Sequence, residues 1–84
     1  MFTAEQEKEI IALCQEVLDD EEADIDAKPH AADIIEILRY PVDWSQFYEM
    51  HENVLLLAGY EAGDYERLEQ IFEEVHGSPL IDDC

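Results

Sequence analysis

The sequence predicts an all-α fold, a small compact bundle of about four helices built as one acidic domain over residues 1–84. Three observations carry this. Apolar residues recur at spacings of three and four in four separate segments. The glycines and prolines sit at the ends of those segments or between them. No stretch alternates with period two for long enough to make a strand.

The first helix is expected from about Ala4 to Leu18. Thr3 and Gln6 form a T-x-x-Q capping box, in which each side chain satisfies a free backbone donor. Ile10, Cys14, Val17 and Leu18, with Ile11 and Leu13 beside them, make an amphipathic stripe. Residues 19–28 read as an acidic connection. Lys28-Pro29 then opens a second helix to about Arg39, because proline loses nothing in a first turn. Its stripe is Ala31, Ile34, Ile35 and Leu38. Tyr40-Pro41 ends it, since the residue before proline is pushed out of the helical region.

The third helix has the strongest start signal. Asp43 is the N-cap, Gln46 is at the third helical position, and Val42 can staple onto Phe47. Phe47, Met50, Val54, Leu57 and Ala58 follow, with Gly59 as the expected left-handed residue after the helix. The fourth begins near Asp64 and carries Leu68, Ile71, Phe72 and Val75. Gly77 and Pro79 close it, and Leu80 and Ile81 are placed to fold back.

Charge narrows the function. There are 23 Asp and Glu against 4 Lys and Arg, a formal net charge of −19. With 48% apolar residues this is a folded domain and not a disordered acidic tail. Direct binding to nucleic acid or to an anionic membrane needs a basic surface and is excluded as the main activity. A basic partner is favoured. The longest fully apolar run, Val54 to Ala58, is far too short to span a bilayer. The N-terminus lacks the basic and apolar stretches of a secretory signal, so a cytoplasmic protein of a bacterial host cell is expected. Two distant cysteines, Cys14 and Cys84, make no disulfide framework.

Catalysis and cofactors find little support. The chain has no phosphate-binding glycine loop, nucleophile elbow or zinc-protease motif. Glu73-x-x-His76 has the spacing of half a di-iron site, but no second copy exists, and a helix-end histidine near the negative dipole explains it. Asp24-Ile25-Asp26 lacks the other ligands of a calcium loop. Cys14 falls on the apolar stripe as a buried thiol. No enzyme, cofactor or metal is therefore expected.

The binding candidates are the acids and the aromatics. Glu16, Asp19, Asp20, Glu21, Glu22, Asp24 and Asp26 make seven acids in eleven residues. A second group, including Glu66 and Glu69, lies on the last helix. Acids three or four apart on a helix stand about 5–6 Å apart at Cβ, a row of negative charge comparable to a phosphate backbone. An ordinary acidic face confers only solubility, but that asks a small domain for a net charge of about 2–8. The 16–26 segment is expected to be the main contact because its loop can adapt. Tyr40, Trp44 and Tyr48 around the Pro41 turn are candidate anchors, as tyrosine and tryptophan are frequent hot spots. Completing the core is their other role.

Tyr40-Pro41 with Asp43, together with Thr3 and Cys14, resembles small acidic four-helix immunity proteins that neutralise nuclease bacteriocins. Arg39-Tyr40 stands where that family has a doubled tyrosine. The resemblance implies a basic nuclease toxin as partner. By size and charge the chain is also similar to phage inhibitors of CRISPR effectors or restriction enzymes. The leading expectation is such an inhibitor, a nucleic-acid mimic on the basic groove of a host enzyme. An immunity protein is the second reading. An adaptor docking a basic peptide is the third.

Crowded carboxylates oppose one another's ionisation, so raised pKa values are expected in the folded state. The folded chain then binds more protons as pH falls, so stability is expected to rise from pH 7 to about pH 5. Added salt is expected to raise it at pH 7. Thermal melts across pH and salt check this, and flat melting temperatures would remove self-repulsion as a significant cost.

Overall fold

The computed structural model describes residues 1–77. Pro79, Leu80, Ile81 and Cys84 lie outside them, so the expected fold-back of Leu80 and Ile81 does too. Four helices follow in order: α1 (Ala4–Asp19), α2 (Lys28–Leu38), α3 (Trp44–Gly59) and α4 (Tyr65–His76). Each packs on its neighbours in sequence, and α4 returns to α1, closing a ring. No helix among the described residues is long and apolar enough to cross a membrane.

The expected caps form. Thr3 and Gln6 exchange hydrogen bonds at the start of α1, and Asp43 and Gln46 do so at the start of α3. Asp64 accepts from the Arg67 N–H at the start of α4, and Gly77 ends that helix with φ of 86°. The stripes also face inward. Ile10, Cys14 and Val17 meet Ala31 and Ile34 of α2, Phe47, Met50, Val54 and Leu57 of α3, and Leu68, Ile71 and Phe72 of α4 in one core. Ile11, placed beside the first stripe by its spacing, is 39% exposed. Burial pushes the Cys14 thiol up to about 12, which leaves it an inert core group.

Contacts between helices set their directions. The His51 side chain of α3 meets Glu69 of α4, and Trp44 at the start of α3 meets His76 at the end of α4. Phe2, just before α1, packs on Phe47 and Phe72 with ring centroids 5.7 and 5.2 Å away. The bundle therefore runs up, down, up, down. One end holds the starts of α1 and α3 with the end of α4. The other holds the α1–α2 and α3–α4 connections, where Gly63 lies against Val17 and the Tyr60 ring stacks on His30.

The α1–α4 seam is closed by charge as well as by rings. Arg67 donates from Nε to Glu9 Oε2 at 2.6 Å and from Nη2 to Oε1 at 2.9 Å. The guanidinium holds the Glu9 carboxyl below the usual carboxylate range. This is opposite in direction to the crowding expected from composition. A depressed pKa gives stability that is present above the unfolded value and is lost as pH falls through the folded one. Acid therefore weakens this seam while it relieves repulsion elsewhere.

The α3–α4 connection departs from expectation. Gly59 is the last residue of α3 and is not its left-handed terminator. The left-handed residue is Glu61, with φ of 55°. The Glu61 N–H donates to Ala58 O and the Ala62 N–H to Leu57 O, both at 3.0 Å. This is a Schellman closure, placed two residues beyond Gly59, and it leaves Ala62 buried. Gly63 follows with φ of 66°, and a Cβ there would collide with Val17 Cγ2.

Glu61 thus occupies a conformation that costs an L-residue about 1–2 kcal/mol. Glu61→Gly is expected to stabilise the fold by about 0.5–1 kcal/mol. Glu61→Gln, which removes the charge alone, separates backbone strain from repulsion. Gly63→Ala meets both strain and the Val17 methyl, and is expected to destabilise by about 1–3 kcal/mol. Chemical denaturation of the three variants checks the order. A more stable Gly63→Ala would contradict the close approach to α1.

Candidate functional site

The acids of the 16–26 segment gather at one end of the bundle. Glu16 and Asp19 lie on the last turns of α1. Asp20, Glu21, Glu22, Asp24 and Asp26 follow in the connection, and all seven are exposed. Ion pairs among the described residues join Glu9 to Arg67 and Glu36 to Arg39, and His51 meets Glu69. None of the seven is neutralised in this way.

This connection is built from hydrogen-bonded turns. Asp20 Oδ1 accepts from the Glu22 N–H and Asp24 Oδ1 from the Asp26 N–H, each at 2.9 Å. The Ala23 N–H returns to Asp20 O and the Ala27 N–H to Asp24 O. Two consecutive aspartate-led turns result. Ala27 is fully buried beneath them and Ala23 packs on the core. Ile25 stands out of the second turn at 78% exposure.

The aromatics form the opposite end. Trp44 lies edge-on to the buried Phe47 at 5.2 Å and is 6.2 Å from Tyr48. The Tyr48 hydroxyl is 3.2 Å from His76 Nε2. Trp44 and Tyr48 are each half exposed, so each ring covers the core on one side and faces solvent on the other. Tyr40 is 59% exposed and makes no ring contact among the described residues. Asp43 is exposed, with its carboxylate accepting from the Gln46 N–H at 2.9 Å.

The two candidate groups therefore do not share a surface. The sixteen residues of α3 separate Trp44 from Tyr60 by about 24 Å. The aromatic at the acidic end is Tyr60, whose ring lies 6.2 Å from His30.

Glu69 also departs from expectation. Its spacing on the last helix suggests an exposed acid like Glu66, but its side chain is only 17% exposed. Both carboxylate oxygens face His51 Nε2, at 2.7 and 2.8 Å. Glu66 remains exposed. His51 and Asn53 are buried polar residues that sequence reading passed over. His30 Nδ1 lies 3.1 Å from Asn53 Oδ1, and Asn53 Nδ2 donates to Glu49 O. The signal for His51 was its place four residues after Phe47 and three before Val54, on the buried stripe.

The chain matches no known protein family, no curated protein and no solved structure. The corner at Tyr40-Pro41 thus remains a likeness of residues. Thr3 and Cys14, its other members, serve here as helix cap and core.

Trp44→Ala is expected to remove about 2 kcal/mol, half the cost for a fully buried aromatic. That lowers the melting temperature by roughly 8–16 °C. Tyr48→Phe keeps the ring and loses only the hydroxyl, for a change of about 1 kcal/mol or less. Thermal melts of the pair check this. An unchanged melt for Trp44→Ala would free that ring for a role outside the core.

Proposed function

We propose that the protein is a stoichiometric inhibitor whose acidic end occupies the basic nucleic-acid-binding surface of another protein. Seven exposed, unneutralised acids on two pinned turns and the adjoining end of α1 carry this reading. Carboxylates there can pair with the Lys and Arg that would otherwise hold phosphates. The turns hold the backbone that carries these acids, which reduces the entropy lost on association. Binding, and no chemical step, is the activity. Fitting targets are a CRISPR effector or a restriction enzyme, met by a phage-borne inhibitor. A nuclease toxin met by an immunity protein offers the same basic chemistry, and exposed Tyr40 beside Pro41 favours that second reading.

Affinity capture from a bacterial lysate at low and high salt supplies the partner. Competition with that partner's own nucleic acid is then measured. Association is expected to be fast and steeply weakened by salt. Glu21→Lys with Glu22→Lys is expected to weaken binding about 10-fold or more, well beyond one exposed ion pair. Glu49→Lys with Glu52→Lys makes the same change of net charge on exposed positions of α3 and is expected to weaken it less than about 3-fold. Equal and negligible losses in both variants, or a partner with no nucleic-acid site, would overturn the proposal.

A further inference from the structure

A groove of about 320 Å³ runs between the second half of α3 and the first half of α4. Val54, Leu55 and Ala58 line it from α3, and Tyr65, Glu66 and Glu69 from α4. Its volume is at the small end of ligand clefts, which run about 300–1,000 Å³. That suits a side chain better than a cofactor.

Glu69 gives the groove its chemistry. The carboxylate is largely shielded from water, and His51 Nε2 faces both of its oxygens from within the core. A ring N–H supplies one hydrogen, whereas a carboxylate offers about four acceptor positions. Acceptor capacity therefore remains on an anion already held in place. Glu66, one turn earlier on the same helix, adds a second carboxylate at the rim. No Lys or Arg is among the lining residues. The complement to this lining is a cation on a long apolar stem.

We infer that the α3–α4 groove receives one arginine side chain of the basic partner. The guanidinium lies on Glu69 and Glu66, and the methylene stem lies along Val54, Leu55 and Ala58. Arginine fits better than lysine because its planar fork pairs with carboxylates at two points and its face packs on an aromatic such as Tyr65. The inference rests on the proposed function for the source of that arginine. The site itself belongs to this chain and can be probed without a partner.

The probe is N-acetyl-L-arginine amide, titrated into the full chain and followed by backbone amide NMR. N-acetyl-L-lysine amide is the control of equal charge. Saturable shifts are expected at Leu55, Ala58, Tyr65, Glu66 and Glu69, with the arginine amide binding at least about 3-fold tighter than the lysine amide. Glu66→Gln and Leu55→Gln change exposed side chains, and their melts confirm that the fold is kept. Each is expected to weaken arginine binding about 3-fold or more. Equal binding of both amides, shifts centred on residues 16–26, or no saturable shift in the groove would overturn the inference. Those results leave the acidic end as the partner surface, because the paired reversal at Glu21 and Glu22 tests it separately.

Discussion

A net charge of −19 has to be held together by a core that contains fourteen buried apolar residues among those described. Most of the architecture follows from that imbalance. Like charges on so small a body favour any expansion that separates them. The core opposes this with area removed from water, at about 25 cal/mol per Å². Closing the ring of helices matters most, since an open seam would expose apolar surface on two helices at once. At the α1–α4 seam the chain places one of its few cations, and Arg67 grips Glu9 through two hydrogen bonds. Phe2 reinforces the same seam by packing on Phe47 and Phe72.

The interior polar groups obey the same constraint. His51 has its carboxylate in Glu69, and Asn53 has both His30 and a backbone carbonyl. Among the described residues no buried side-chain polar atom lacks a partner. Satisfied groups of this kind fix which helix faces meet, because a slipped register would leave them unpaired in the core. The His51 contact also orients Glu69 at the wall of the α3–α4 groove, so a core interaction shapes a surface feature.

Separation of the two ends bears on recognition. The aspartate-led turns share their end of the bundle with exposed Ile25 and with Tyr60, which stacks on His30, whereas Trp44 and Tyr48 lie at the other end. A partner bound at the acidic end, as proposed, would draw its specificity from these nearby apolar and aromatic groups. Charge alone attracts any basic protein. The half-exposed rings at the far end belong first to the core, where Trp44 and Tyr48 cover Phe47 and the end of α4.

The sequence by itself determined the number of helices, their starts and their buried stripes. These depend on local chemistry. Thr3, Asp43 and Asp64 cap through backbone groups three residues away, and Ile10, Cys14 and Val17 share a face through the helical repeat. It also determined that residues 16–26 carry dense negative charge. Tertiary structure decided what depends on distant partners. The α3–α4 connection placed the left-handed residue at Glu61 and not at Gly59, and buried Ala62 behind it. His51 turned Glu69 inward, and Arg67 found Glu9 fifty-eight residues away. Up-and-down packing put the acids and the aromatics at opposite ends, although Tyr40 follows Asp26 by only fourteen residues. An α-helix carries its two ends apart in space by its own length, and no local pattern states which ends will meet.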